Sequence, residues 1–157
     1  MDDVINFFAY NELMDQRNMR ERGLEFVSCS PVTLSAYKLV FNKIPLDNSG
    51  IENLGLANLV LTPNNLGMVT GVLYEMSKGL LPKLDEIHGY PQEYNRKIHK
   101  LFRHDFNPTQ GYVYMAQPGK MDDNLKPTKA MLKKYKGARK ELGLLNLSRI
   151  MTTPTVD

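Results

Sequence analysis

Short apolar segments of strand length recur along the chain, and turn-forming residues separate them, so the fold is limited to one dominated by β-structure. Segments of roughly four to eight residues bounded by Gly, Pro, Asn or Asp are typical of strands. The sequence predicts strands at Val4–Tyr10, Phe26–Cys29, Leu34–Phe41, Leu56–Leu61, Met68–Met76, Tyr94–Phe102 and Gly111–Gln117.

Helical signals are fewer. The sequence predicts a short helix capped by Asp15 and running through Arg22, a second over Lys78–His88, and a third over Pro127–Leu142. Gly23 and Gly89 follow the first two helices and can end them in the left-handed conformation. Gly137 lies inside the third and is expected to weaken it by roughly 1 kcal/mol relative to alanine. Because strands outnumber helices without regular alternation, an antiparallel or mixed sheet is favoured, curled into a barrel.

The length of the chain fits one domain. With 157 residues it is long enough to bury a core, and no internal repeat or linker interrupts it. We predict a single domain over residues 1–145 and a ragged C-terminal tail over residues 146–157. Within the domain, Thr62-Pro63-Asn64-Asn65 separates two predicted strands and is expected to form a hairpin connection.

Charge is distributed unevenly, although the net charge is only +3. Residues 1–95 carry seven basic and 12 acidic side chains, whereas residues 96–140 carry 12 basic and three acidic ones. Part of this excess lies on one face of the third predicted helix, formed by Lys126, Lys129, Lys133, Lys136 and Lys140. The opposite face is formed by Met131, Tyr135, Ala138 and Leu142. The basic face predicts either a solvated surface or a site for an anionic partner.

Several classes of site are disfavoured. Cys29 is the only cysteine, so we expect a small buried hydrophobe rather than a disulfide or a cysteine-based metal site. His99 and His104 lack partners at metal-ligand spacing, and the sequence has no glycine-rich phosphate loop. The acidic N-terminus differs from a secretory signal, and no apolar run is long enough to span a bilayer. A reducing, cytoplasmic location without membrane association is therefore expected.

Two segments stand out because together they form a known pattern. The first is Phe7-Phe8-Ala9-Tyr10-Asn11-Glu12-Leu13-Met14; the second contains Gly71–Met76, Leu84-Asp85, Gly89 and Tyr94-x-Arg96. Tyr112-Val113-Tyr114, then Gly137-Ala138-Arg139 with Gly143-Leu144, follow in the same order. This pattern resembles the γ-glutamylcyclotransferase-like (AIG2-like) family over roughly residues 4–145.

The resemblance implies a fold and a reaction. The fold is α+β, a small mixed β-barrel flanked by helices. In the reaction, the α-amine of a γ-glutamyl group attacks its own γ-carbonyl, which forms 5-oxoproline and releases an amine. The amine needs a general base, and the carbonyl oxygen needs hydrogen-bond donors. No metal or organic cofactor is implied, and the expected partner is a small γ-glutamyl or amine-containing molecule.

The implied substrate-binding turn is Tyr10-Asn11-Glu12-Leu13, where the family has Tyr-Gly-Ser-Asn or a close variant. Asn11 replaces the glycine, and asparagine tolerates a left-handed backbone better than most residues. Glu12 replaces the hydroxyl residue. A carboxylate in the pocket would repel the α-carboxylate of a substrate and attract a cationic ligand, unless Glu12 is a turn residue that reaches solvent. Tyr94 is also expected to line the pocket, since its hydroxyl needs a partner.

The implied catalytic position is occupied by His88 instead of glutamate. Helical periodicity places His88 near Leu81 and Leu84 on the buried face, whereas Glu86 faces solvent. A neutral imidazole can accept a proton, but a helix C-terminus is expected to favour the protonated form and weaken the base. Alternatively, His88 is an inward polar residue satisfied by a neighbour.

Three hypotheses follow for the function. The chain is an enzyme of the cyclotransferase class with His88 as the base, or a binding module that kept the pocket and lost the reaction. The third hypothesis is an anionic-surface or nucleic-acid binder that uses the basic face of residues 127–142. Few aromatic residues lie among those lysines, which makes nucleic acid an unlikely partner.

Overall fold

A computed structural model describes residues 3–157, and within this range the chain forms seven strands and four α-helices. The strands are β1 (Val4–Ala9), β2 (Ser28–Ser35), β3 (Tyr37–Lys43), β4 (Leu56–Leu61), β5 (Met68–Ser77), β6 (Tyr94–Arg103) and β7 (Pro108–Ala116). The helices are α1 (Gln16–Glu21), α2 (Leu81–His88), α3 (Lys129–Lys133) and α4 (Arg139–Met151). Single 3-10 turns lie at Glu12–Met14, Pro63–Asn65, Lys78–Leu80 and Lys134–Ala138.

Five of the strands form a closed barrel in the order β1-β5-β2-β6-β7. Neighbours pair antiparallel, except that β1 and β7 meet in parallel where Phe7 lies opposite Tyr112. β3 and β4 form a separate antiparallel pair. The predicted fold, a small mixed β-barrel flanked by helices, is confirmed.

The barrel interior explains why β1 is apolar along most of its length. Phe7, Phe8 and Ala9 are consecutive and all buried, so side chains on both faces of the strand are covered. Tyr74 and Tyr114 are also fully buried. Their hydroxyl groups need partners inside the protein, and these partners lie at the end of the barrel described below.

Both ends of α1 and the C-terminal end of α2 follow the sequence signals. The first three residues of the predicted second helix, Lys78–Leu80, form a 3-10 turn instead, and α2 begins at Leu81 without a side-chain cap. The Asp15 carboxylate accepts a hydrogen bond from the Arg17 amide (2.9 Å) and caps α1. Gly23 after α1 and Gly89 after α2 both have positive φ angles, of 71° and 62°, as the left-handed termination requires.

The predicted hairpin between β4 and β5 is wrong. β4 pairs with β3, whereas β5 pairs with β1 on one side and β2 on the other. The Thr62 hydroxyl donates to the carbonyl of Ala36 (2.9 Å) and accepts from the Gly67 amide (2.7 Å). The chain therefore crosses from one sheet to the other at this turn, a change that local turn chemistry does not reveal.

The predicted third helix is not continuous, and the prediction of a ragged tail is wrong for residues 146–151. Residues 127–142 divide into α3, a 3-10 turn and the start of α4, which bends at Gly143 and continues to Met151. After α4 the chain returns, and the Val156 amide donates to the Pro127 carbonyl (3.0 Å). Tertiary contacts order this segment, because Leu147, Ile150 and Met151 pack against the core. The helix crosses the predicted domain limit at residue 145, and the division at that point stays a prediction.

Gly137 has a packing role that the sequence analysis missed. A Cβ atom added there would lie 2.2 Å from Oδ2 of Asp15 and 2.4 Å from its Cγ. The turn Lys134–Ala138 therefore approaches the cap of α1 more closely than any residue with a side chain allows. Glycine is used here for contact between two segments far apart in sequence.

We expect Gly137→Ala to lower the free energy of unfolding by about 1–3 kcal/mol, the usual cost of overpacking, instead of raising it as helix propensity predicts. Gly79→Ala is the matched control, because its added Cβ meets only Ser77 Oγ, at 3.5 Å. Urea unfolding of both variants is the measurement. An unchanged or more stable Gly137→Ala protein would contradict the packing role.

Candidate active site

Helix α2 carries His88 to the interior of the protein. Leu84 and His88, one turn apart, are the buried residues of the helix, while Glu86 is exposed. The prediction that His88 points inward and Glu86 outward is therefore confirmed. The imidazole Nδ1 lies 2.9 Å from the carbonyl oxygen of Leu84.

Aromatic rings surround the His88 imidazole. It stacks on Tyr114 with ring centroids 3.8 Å apart and an interplanar angle of 3°. Phe7 and Tyr94 pack edge-on against it at 5.7 and 5.8 Å. Only 7% of the residue is exposed.

This burial sets the charge state of His88. Burial lowers the pKa of His88 to about 4; the Leu84 carbonyl and the Asp85 charge oppose the change, and the Arg22 charge adds to it. The imidazole is therefore neutral at neutral pH. The expected preference for the protonated form at a helix C-terminus is wrong, because loss of hydration outweighs the helix dipole here.

A neutral ring that donates from Nδ1 leaves a lone pair on Nε2. The Leu84 carbonyl is an acceptor, so Nδ1 carries the proton and Nε2 is unprotonated. Nε2 has no hydrogen-bond partner among residues 3–157. Every fully buried side-chain nitrogen in this range has a partner, so Nε2 is not fully buried. Nε2 is therefore the accessible edge of the ring, and His88 lines a cavity.

The turn after β1 supplies the opposite wall of that cavity. Asn11 has an extended backbone (φ −111°), so the left-handed conformation considered for this position is not used. Its side-chain oxygen accepts from the Leu13 amide (2.9 Å) and caps the turn Glu12–Met14. Leu13 and Met14 are buried beneath it.

Glu12 lies at the cavity and is paired with Arg22. Its Oε1 is 3.4 Å from Nη2 of Arg22, and the two side chains are 34% and 44% exposed. Burial raises the pKa of Tyr94 and Tyr135, and the Glu12 charge contributes to both increases. The carboxylate is thus within electrostatic range of two cavity tyrosines.

The two segments singled out in the sequence meet at one cavity of about 140 Å³. Asn11, Glu12, Leu13, His88 and Tyr94 all line it. The other lining residues are Arg22, Phe41, Leu56, Ala57, Ile87, Met131 and Tyr135. A volume of this size accommodates several waters or a small polar molecule.

Tyr10 is the predicted site residue that does not line the cavity. Its buried hydroxyl donates to the Tyr114 carbonyl at 2.5 Å, and its own carbonyl accepts from the Tyr135 hydroxyl at 2.8 Å. The Tyr94 hydroxyl is also satisfied, by the Ala57 carbonyl at 2.8 Å. Tyr94 is therefore part of the cavity wall, whereas Tyr10 lies behind the wall and is hydrogen-bonded to Tyr114 and Tyr135.

Sequence reasoning missed Arg22 and Tyr135 as cavity residues. Arg22 follows the last turn of α1, and the sequence indicates only that a short helix ends there. For Tyr135 the sequence predicts a position on an apolar helix face but no contact partner. The spacing of these residues from Glu12 in sequence gives no signal of the contact, which tertiary packing creates.

A polar network holds α2 against the barrel. Arg96 forms a bidentate ion pair with Asp85, with distances of 2.7 and 3.1 Å. The Tyr114 hydroxyl donates to the same carboxylate at 2.6 Å, and the Arg96 guanidinium lies over the Tyr90 ring. Three residues of the family pattern, Asp85, Arg96 and Tyr114, thus fix the helix that carries His88.

A more deeply buried ion pair lies beside Tyr94. Lys43 Nζ is 2.9 Å from Oε1 of Glu93, and Lys120 Nζ is 3.3 Å from Oε2. The hydrogen bond from Lys43 is the main cause of a lowered pKa of Glu93. This carboxylate is therefore engaged with cations and does not line the cavity.

Two further findings concern residues 3–157 only. No group of three or more His, Cys, Asp or Glu side chains there is arranged to hold a metal ion. No helix in that range is both long and apolar enough to cross a membrane. Cys29 is half-buried on β2, not fully buried as expected.

A family model described as gamma-glutamyl cyclotransferase, AIG2-like, matches residues 7–136. The chain therefore belongs to the gamma-glutamyl cyclotransferase, AIG2-like family. A comparison with curated proteins found no match.

Solved structures share the fold over nearly the whole chain. The uncharacterized human protein loc79017 is 20% identical, with 98% of this chain and 90% of that chain covered and a TM-score of 0.81. A gamma-glutamyl cyclotransferase is also 20% identical, with 98% and 89% covered and a TM-score of 0.82. A gamma-glutamyl cyclotransferase specific to glutathione from yeast is 10% identical, with 96% and 95% covered and a TM-score of 0.66.

The depressed pKa of His88 makes stability depend on pH. An unfolded histidine titrates near pH 6.5, so below this pH the unfolded chain binds a proton that the folded chain excludes. The stability from the neutral ring is complete above about pH 6.5 and is lost as the pH falls towards about 4. We expect this loss to reach about 3 kcal/mol.

The measurement is urea unfolding of the wild type and of His88→Phe, which keeps an aromatic ring but cannot titrate, at intervals from pH 7 to pH 4. The difference in unfolding free energy between the two proteins should change over this range. Parallel pH profiles would contradict the assigned charge state.

Proposed function

We propose that this protein binds a small amino-acid-like molecule in the cavity between Glu12–Met14 and His88, and that it cyclises γ-glutamyl groups slowly or not at all. The observation that carries the proposal is the environment of His88: a neutral imidazole, buried among aromatic rings, with Nδ1 committed to Leu84. Family membership supports the kind of ligand. The cavity is retained, but the general base is altered.

Burial has opposite effects on the two residue types that this position can hold. It raises the pKa of a glutamate towards neutrality, where a carboxylate becomes an efficient general base. It lowers the pKa of a histidine, because the cost falls on the protonated form. Here the pKa of His88 is about 4, whereas an α-ammonium group loses its proton near pH 8. Proton transfer to Nε2 is therefore uphill by roughly 5 kcal/mol.

The charges also differ in the bound state. A glutamate that accepts the substrate proton becomes neutral, and its initial negative charge attracts the ammonium group. His88 offers no such attraction and becomes a buried cation after proton transfer, which is costly in a ring of aromatic side chains. Nε2 can still accept a hydrogen bond from an ammonium group. The same residue is thus suited to binding the group that it cannot readily deprotonate.

The hypothesis of an anionic partner has less support. Lys129, Lys133, Lys136 and Lys140 are exposed, but a 3-10 turn and a change of helix interrupt the predicted face. The prediction that nucleic acid is an unlikely partner of this region stays a prediction.

We expect the wild-type protein to bind γ-L-glutamyl-L-alanine in the cavity and to release 5-oxoproline from it at or near the uncatalysed rate. Binding is measured by NMR shifts of the His88 ring, and release by chromatography of 5-oxoproline. Glu86→Gln, on the exposed face of the same helix, is the control and should change neither result. Rapid release by the unaltered protein would show that His88 serves as an adequate base.

His88→Glu should not restore a full rate by itself, because Glu12 stays at the cavity and two carboxylates would then face one substrate. His88→Glu combined with Glu12→Ser, which returns the hydroxyl residue of the family pattern, should release 5-oxoproline faster than either single variant. Equal rates for the double variant and His88→Glu would show that Glu12 does not oppose catalysis.

A further inference from the structure

Glu12 and Arg22 bring opposite charges to one cavity wall. Glu12 belongs to the turn after β1, and Arg22 follows α1, ten positions later. Both line the cavity that contains His88. Glu12 stands where the family pattern has a hydroxyl residue, so the pair distinguishes this chain from that pattern.

The pair is weakly formed. Its N–O distance of 3.4 Å is the longest of the ion pairs among residues 3–157. Both side chains are more than a third exposed, Arg22 at 44% and Glu12 at 34%. Exposed pairs of this kind contribute little to stability, typically less than about 1 kcal/mol. By contrast, Asp85 and Arg96 are in bidentate contact. The Glu12–Arg22 pair can open to a ligand at low cost.

The two charges lie within range of the other polar groups of the cavity. The Arg22 charge acts on the His88 imidazole, and the Glu12 charge acts on Tyr94 and Tyr135. The cavity therefore presents a carboxylate, a guanidinium and the unprotonated Nε2 together. Two of these groups accept hydrogen bonds from an ammonium group, and the guanidinium is a bidentate donor for a carboxylate.

We infer that Glu12 and Arg22 together select a zwitterionic amino-acid head group, with the ligand ammonium on Glu12 and His88 Nε2 and the ligand carboxylate on Arg22. This inference rests on the proposed function and specifies its ligand. A simple amine is repelled by Arg22 and has no carboxylate to pair with it. A simple carboxylate is repelled by Glu12 and has no ammonium group to pair with it. A zwitterion satisfies both charges at once and replaces the weak pair with two stronger contacts.

Three probes with matched carbon chains test this selection. L-2-aminobutyrate carries both charged groups, butyrate lacks the ammonium group, and propylamine lacks the carboxylate. We expect L-2-aminobutyrate to bind at least about tenfold more tightly than either of the others, since each loses a charged hydrogen bond. NMR titration of the full chain, with shifts followed at the His88 ring, gives the three dissociation constants.

Two variants reverse the selection if it depends on these charges. Glu12→Gln should weaken L-2-aminobutyrate at least about tenfold and bring butyrate binding close to it, because the repulsion is removed. Arg22→Gln should do the same for propylamine. Arg17→Gln and Glu21→Gln, exposed on helix α1 between Glu12 and Arg22 in the sequence, are the matched controls and should leave all three constants unchanged. A loss of fold would weaken every probe and could not produce opposite gains.

The outcomes separate this inference from the proposed function. Tighter zwitterion binding with opposite gains in the two variants supports the inference. Equal binding of the three probes, or no binding of any of them while γ-L-glutamyl-L-alanine still binds, overturns the inference and leaves cavity binding intact. Failure of γ-L-glutamyl-L-alanine and all three probes to shift the His88 ring overturns both.

Discussion

Hydrogen bonds from buried tyrosine hydroxyls fix the turn Glu12–Met14 to the end of the barrel, and the cavity depends on them. Tyr74 donates to the Leu13 carbonyl at 2.7 Å and lies 3.0 Å from that of Met14, while Tyr135 donates to the Tyr10 carbonyl. A carbonyl left unpaired in such a place costs about 1–3 kcal/mol. The turn is therefore held by hydrogen bonds between buried groups, and Glu12 and Asn11 keep their place beside His88.

The surroundings of position 88 would have opposite effects on the pKa of two kinds of titratable group. The aromatic rings of Phe7, Tyr94 and Tyr114 cover most of the side chain at position 88 and reduce its hydration. For a carboxyl group, this environment favours the neutral acid and raises the pKa; for an imidazole, it favours the neutral base and lowers the pKa. The chemistry that this environment promotes therefore depends on which residue occupies position 88.

Much of the fold followed from local patterns. The position of β1, the cap of α1, the glycine that ends α2 and the inward direction of His88 depend on residues close together in sequence, and these predictions are confirmed. The predicted hairpin and the continuous third helix are wrong because their outcome depends on distant partners. β4 pairs with β3 and not with β5. Gly137 is required by its close contact with Asp15 and not by helix propensity.

By itself, the sequence determined the secondary-structure periods, the helix ends and the family pattern, because these are set by neighbouring residues and by the order of motifs. It also singled out Glu12 and His88, because the resemblance implies a hydroxyl residue and a glutamate at these two positions. Only the tertiary structure decided the charge state of His88, since its pKa depends on rings from β1, β6 and β7. The tertiary structure also decided the pairing of Glu12 with Arg22. Their spacing in the sequence does not predict it, because only the fold brings the turn and the helix end to the same cavity.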